Sequence, residues 1–157
     1  MNHQPVQNEP ICAAFTAAIL LTGSVHAAEA ALLCVIRSAG AGELSGAELQ
    51  NKVAVWAIGS RGSEPRRSPE ELARVSRLLP AELRNVLLLP RNLRYCFVLR
   101  LLMTLPREMC ARLLNRESAA IERDTCLAAR AVARIAQRGK CVPRQRVHRS
   151  ESQVLVA

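Results

Sequence analysis

Residues 89–134 read LPRNLRYCFVLRLLMTLPREMCARLLNRESAAIERDTCLAARAVAR, and the punctuation of this stretch decides the fold. Pro90 and Pro106 stand where proline is best tolerated, in the first turn of a new helix, because the N–H that proline lacks has no intrahelical partner there. They divide the stretch into expected helices at 91–103 and 106–114. Asn115 is suited to a left-handed stop, since its short polar side chain accepts positive φ more readily than most residues. One long helix is then expected from about Ser118 to Arg138, ended by Gly139.

The same signals continue upstream. Pro80 predicts a short helix near 81–89. Ser68-Pro69-Glu70-Glu71 combines a capping serine, a proline at the first helical position and a glutamate placed to close a capping box. The helix it opens has Leu72, Val75 and Leu79 on its inner face. Residues 60–68 are rich in Gly, Ser, Pro and Arg and have no apolar periodicity, so they read as a linker. Before it, a helix at 10–22 stops at Gly23, Ser24 caps a second helix to about Ser38, and Ser45 with Glu48 boxes a third through Trp56 to about Gly59. The fold class expected is all-α, in two small helical lobes: a lobe at 1–60, a linker at 61–68, a second lobe at 69–138 and a basic tail at 139–157.

Composition agrees with helices. Half of the 157 residues are hydrophobic but only 3% are aromatic, so the core must be built from Leu, Ala, Val and Ile. The charge is unevenly placed. Residues 1–60 hold two basic and four acidic groups, a net −2, whereas residues 61–157 hold twenty and nine, a net +11. A strongly basic half points to a polyanionic partner, because clustered cations gain affinity by releasing counterions from phosphate backbones.

Other classes find little support. Asp124 is the only aspartate, no His neighbours a Ser or Cys, and there is neither a Gly-rich phosphate loop nor an H-E-x-x-H, so no enzyme is expected. No metal and no cofactor are expected either. His148 and Cys141 lie seven apart on the tail, and none of the six cysteines forms a C-x-x-C. Cys34, Cys96, Cys110 and Cys126 sit in apolar helical stretches and read as small buried hydrophobes, without disulfides. The run from Ile11 to Ala28 imitates a secretory signal. The residues before it carry no Lys or Arg but do carry Glu9 and Pro10, so the expectation is a cytoplasmic chain with no membrane span.

The stretch from Leu89 to Arg134 resembles region 4 of the extracytoplasmic-function sigma factors of RNA polymerase. Leu89, Pro90, Arg94, Phe97, Leu99 and Arg100 match that family's L-P-x-x-x-R-x-x-F-x-L-R. Leu105, Glu108, Ala111 and Leu114 match its L-x-x-E-x-x-A-x-x-L-G, with Asn115 in place of the turn glycine, and Ile121 falls on the apolar anchor of the recognition helix. Leu20-Leu21-Thr22-Gly23 with Ala28-Glu29 is similar to the opening of the family's region 2. The resemblance implies a region 2-like remnant at 1–60, a helix-turn-helix in the second lobe and promoter DNA as partner. The family's polar face for the polymerase β′ coiled coil falls on Ala30, Leu33 and Cys34, so RNA polymerase core would be met without those groups.

At about 100° per residue along the last helix, Arg116 (if the helix reaches it), Arg130 and Arg134 lie within about 20° of Arg123, and Arg138 lies near 60°. Ile121, Thr125, Ala128, Val132 and Ile135 occupy the opposite side. The resemblance makes this the helix that enters the major groove, and arginine suits both phosphates and guanine edges. Arg116, Arg123, Arg130 and Arg134 are therefore the candidate DNA-binding residues, with Lys140, Arg144, Arg146 and Arg149 as further backbone contacts. Glu117, Glu122 and Asp124 read as flanking charges that would repel phosphate, and Glu122 and Asp124 stand where the family has basic or hydroxyl residues. The alternative is a solvated or protein-binding face on a sigma-like interaction module, with Ala30, Leu33 and Cys34 as an apolar patch for a partner.

Overall fold

A computed structural model describes residues 9–39, 44–60 and 68–140, and every element within them is helical. The chain runs α1 (Glu9–Thr22), α2 (Val25–Ser38), α3 (Gly46–Gly59), α4 (Pro69–Leu78), α5 (Ala81–Arg84), α6 (Arg91–Phe97), α7 (Arg107–Leu114) and α8 (Ser118–Lys140).

Caps set most of the boundaries. Gly23, at φ 70°, turns the chain between α1 and α2, a conformation that costs glycine little. Ser24 Oγ accepts from the backbone N–H of Ala27. At the start of α3, the Glu48 N–H donates to Ser45 Oγ at 3.3 Å while the Ser45 N–H donates to the Glu48 carboxylate at 3.0 Å, closing the box. The Ser45 hydroxyl, which donates to the same carboxylate at 2.8 Å, and then the Ser45 N–H hold the Glu48 carboxyl below the usual carboxylate range. Ser68 Oγ accepts from the Glu71 N–H at 3.2 Å, with Pro69 beginning α4. Pro80, Pro90 and Pro106 each serve as the residue before a helix, with ψ near 146°. Residues 61–67 of the expected linker and residues 141–157 of the tail, with Arg144, Arg146 and Arg149, lie outside the described residues.

Three elements depart from expectation. The helix expected at 81–89 is α5 followed by a 3-10 turn, Asn85–Leu88. Leu89 precedes a proline and must leave the helical region, so the last bonds shorten to i→i+3, as in Leu89 N–H to Val86 O at 3.2 Å. The helix expected at 91–103 is α6 followed by a π turn, Val98–Leu102. The Met103 N–H bonds Val98 O, and the Leu105 N–H reaches past it to Leu99 O, both at 2.9 Å. Widening the turn buries both Val98 and Leu99. Finally, α8 continues through Gly139 to Lys140, because one helical glycine costs only about 1 kcal/mol.

α1, α2 and α3 pack mutually, and α6 and α7 pack on α8. The two groups meet where α1 touches α6 and the π turn and where α3 touches α7, and a single core runs through both. Its centre is aliphatic, with Ile19, Leu20, Leu21, Val53, Val75, Val86, Leu99 and Ile121 all fully buried. No helix among the described residues is long and apolar enough to cross a membrane.

The cysteines divide. Cys96 and Cys110 are buried, as expected, but Cys34 and Cys126 are exposed, as is Cys12. α2 turns Ala28, Ala31 and Val35 inward, which rotates Cys34 about 100° away from the buried stripe. All five described thiols are free, and Cys141 lies outside the described residues.

Candidate nucleic-acid interface on the last helix

Asn115 joins α7 to α8. It adopts φ 52° and ψ 53°, and the following Arg116 N–H bonds Ala111 O at 2.9 Å, which folds the chain back at the end of α7. α8 therefore leaves the turn at Ser118 with one side laid on the core. Ile121 and Ala128 are fully buried, and Val132 and Ile135 are packed against the core.

The other side of α8 carries Arg123, Arg130, Arg134 and Arg138, all exposed. The span from Arg123 to Arg138 is roughly 22 Å at 1.5 Å per residue. Leu127, 46% exposed, lies within this stripe between Arg123 and Arg130, and Cys126 stands at its edge. Arg116 is not on this face. It precedes α8, and its Nη1 donates to Asp124 Oδ2 at 2.5 Å. That bond raises the pKa of the guanidinium further above its ordinary value.

Of the three acidic residues expected to repel phosphate, Glu122 and Asp124 are engaged, whereas Glu117, exposed in the turn before α8, has no cationic partner among the described residues. Asp124 is not a flanking surface charge: its side chain is 7% exposed, on the core side of α8, three residues after Ile121 and four before Ala128. Arg116 compensates it directly, and Arg123 Nε lies 4.0 Å from its second oxygen. Glu122 is exposed but accepts from Arg107 Nη1 of α7 at 2.9 Å. Arg107 also reaches Glu108 at 3.2 Å, and its pKa is raised, most of all by Glu122. Among the described residues, Arg130, Arg134 and Arg138 have no carboxylate partner. Arg130, Arg134 and Arg138 are thus a row of outward cations, unpaired among the described residues, while Arg123 shares Asp124 with Arg116.

The structure brings together Arg123, Arg130 and Arg134 of the residues selected from sequence and adds Arg138, while Arg116 serves as counter-ion to Asp124. Sequence reading did not identify Arg107, whose partner Glu122 is fifteen residues away. Asp124 was open to better placement, because its i+3 spacing from Ile121 puts it on the buried stripe.

A second surface lies on α2. Leu33 is 51% exposed and Cys34 is exposed; with the half-buried Ala30 they line a groove of about 400 Å³ that Glu29 and Arg37 border. Among the described residues there is no cluster of His, Cys, Asp and Glu able to hold a metal ion. Comparison with protein-family models, with characterised proteins and with solved structures returns no match.

Proposed function

We propose that the chain binds duplex DNA through α8 as a sigma-like transcription regulator, with α7, the Asn115 turn and α8 acting as a helix-turn-helix. The observation that carries this reading is the separation of charge on α8. Asp124 is buried and paired with Arg116, Glu122 is held by Arg107, and Arg130, Arg134 and Arg138 point outward without a carboxylate. A surface on which two of three neighbouring acids are neutralised while the arginines stay open suits a polyanion, whereas a merely solvated helix gains more from intrahelical pairs between opposite charges.

In this reading Arg123, about 7.5 Å along α8 from Ser118, stands nearest the base edges. Arg130, Arg134 and Arg138 follow the groove and engage phosphates, which position the protein without reading sequence. Titration of labelled promoter and random duplexes at several salt concentrations tests this. Three phosphate contacts correspond to a slope of log K against log salt of up to about −2.7. A slope near zero would remove the reading.

The alternative is an interaction module without DNA binding, favoured by the exposure of Leu33 and of Ile36, 45% exposed on the same helix. Leu33→Lys separates the two readings: it would abolish partner capture in that case and leave duplex affinity unchanged in the first.

A further inference from the structure

Where the first turn of α6 meets the α7–α8 turn lies a pocket of about 310 Å³ lined by Arg91, Asn92, Tyr95, Leu114 and Arg116. Its cations are held in place. Arg91 Nε donates to Tyr95 Oη at 2.9 Å while its guanidinium carbon sits 5.4 Å from the centre of the same ring. One side chain thus fixes the guanidinium twice, leaving both terminal nitrogens to donate. Arg116 is fixed from behind by Asp124 through Nη1, which leaves Nε and Nη2. Asn92 is exposed at the mouth and supplies an amide. Tyr95 and Leu114 form a buried wall. The lining holds two guanidinium groups and no carboxylate, so with Asp124 counted against Arg116 it stays positive by one charge.

We infer that this pocket binds a phosphate group, with Arg91 and Arg116 donating to its oxygens and Asn92 closing the mouth. Pre-oriented guanidinium groups match the tetrahedral oxyanion geometry, and little side-chain entropy remains to be lost on binding. Two sources supply that chemistry: a phosphodiester of the duplex that α8 engages, or free phosphate. The first rests on the DNA reading of α8; the second does not.

The test uses the full chain and three proteins: wild type, Asn92→Asp, which places a carboxylate at the pocket mouth, and Asn51→Asp, which adds the same charge on α3 outside the pocket. Inorganic phosphate is titrated at constant ionic strength while the Arg91 Nε–H and Arg116 Nε–H resonances are followed by NMR. A random duplex is titrated separately by anisotropy at several salt concentrations. Saturable shifts with phosphate in wild type and in Asn51→Asp, abolished in Asn92→Asp, establish a free-phosphate site. A duplex salt slope reduced by about 0.9 in Asn92→Asp alone, with affinity near 0.1 M salt weakened about eightfold, establishes a backbone contact. If phosphate moves neither resonance and the duplex slopes of the three proteins agree, the pocket binds no phosphate, whatever α8 does. If wild type binds no duplex but phosphate shifts both resonances, the α8 reading fails and the pocket stands.

Discussion

Arg116 Nη1 lies 2.5 Å from Asp124 Oδ2, and the two partners are unequally placed: the carboxylate is 7% exposed, the arginine side chain 32%. The pair joins the middle of the α7–α8 connection to the second turn of α8 on its buried side, so it fixes how α8 leaves the turn. Removing the arginine strands a charge inside the protein, whereas removing the aspartate leaves a guanidinium that can turn to water. Arg116→Ala should therefore destabilise the fold by about 3–5 kcal/mol and Asp124→Ala by only about 1.5–3 kcal/mol. Urea unfolding of the two variants checks this order. Equal losses would mean that the carboxylate is not held away from solvent.

Backbone strain gives a second pair of outcomes with opposite signs. Thr104 and Asn115 both hold positive φ, at 54° and 52°. For a β-branched threonine this is an unfavourable state, maintained here by the Leu105 N–H bond to Leu99 O and by Arg100 Nη1 donating to Leu105 O at 2.6 Å. Thr104→Gly should raise stability by about 1 kcal/mol, while Asn115→Ala should lower it by about 1 kcal/mol. Thermal unfolding of the two variants reads both signs.

Thiol chemistry should follow burial. Burial, and then the nearby Asp124 charge, push the Cys96 thiol up to about 11, and burial also raises Cys110. Alkylation of the native protein near pH 8 should label Cys12, Cys34 and Cys126 and spare Cys96 and Cys110 until denaturant is added. Because both folded-state pKa values are raised, their contribution to stability is complete below the unfolded thiol value and falls as pH rises through about 9 toward 11. Peptide mapping after labelling, and unfolding at pH 8 and pH 10, measure the two effects.

Local chemistry was the most legible part of the chain. Ser24, Ser45 with Glu48, Ser68 and Asn115 mark real boundaries because each acts on backbone groups within a few residues of itself. The arginine stripe was legible for a similar reason, since a helix repeats every 3.6 residues. Features that depend on neighbouring helices were not. The π turn at 98–102 arises where burying Val98 and Leu99 competes with the turn before Pro106, and the Arg107–Glu122 pair exists only once α7 has been laid beside α8. Cys34 and Cys126 looked buried because apolar neighbours surround them in sequence, but those neighbours face a different way.

The central claim is that the outer face of α8 reads a polyanion, and charge reversal at Arg123 and Arg130 tests it most directly. Both residues are exposed and lie opposite the buried Ile121 and Ala128. The double variant Arg123→Glu with Arg130→Glu should therefore change stability by only about 0.5 kcal/mol per site, leaving a folded protein to compare. Fluorescence anisotropy on labelled duplexes across a salt series should show affinity falling sharply and the salt slope flattening by about 0.9, the loss of the Arg130 phosphate contact, with the loss at Arg123 felt in base readout. Equal binding by wild type and variant, or no duplex binding by wild type at low salt, would contradict the claim.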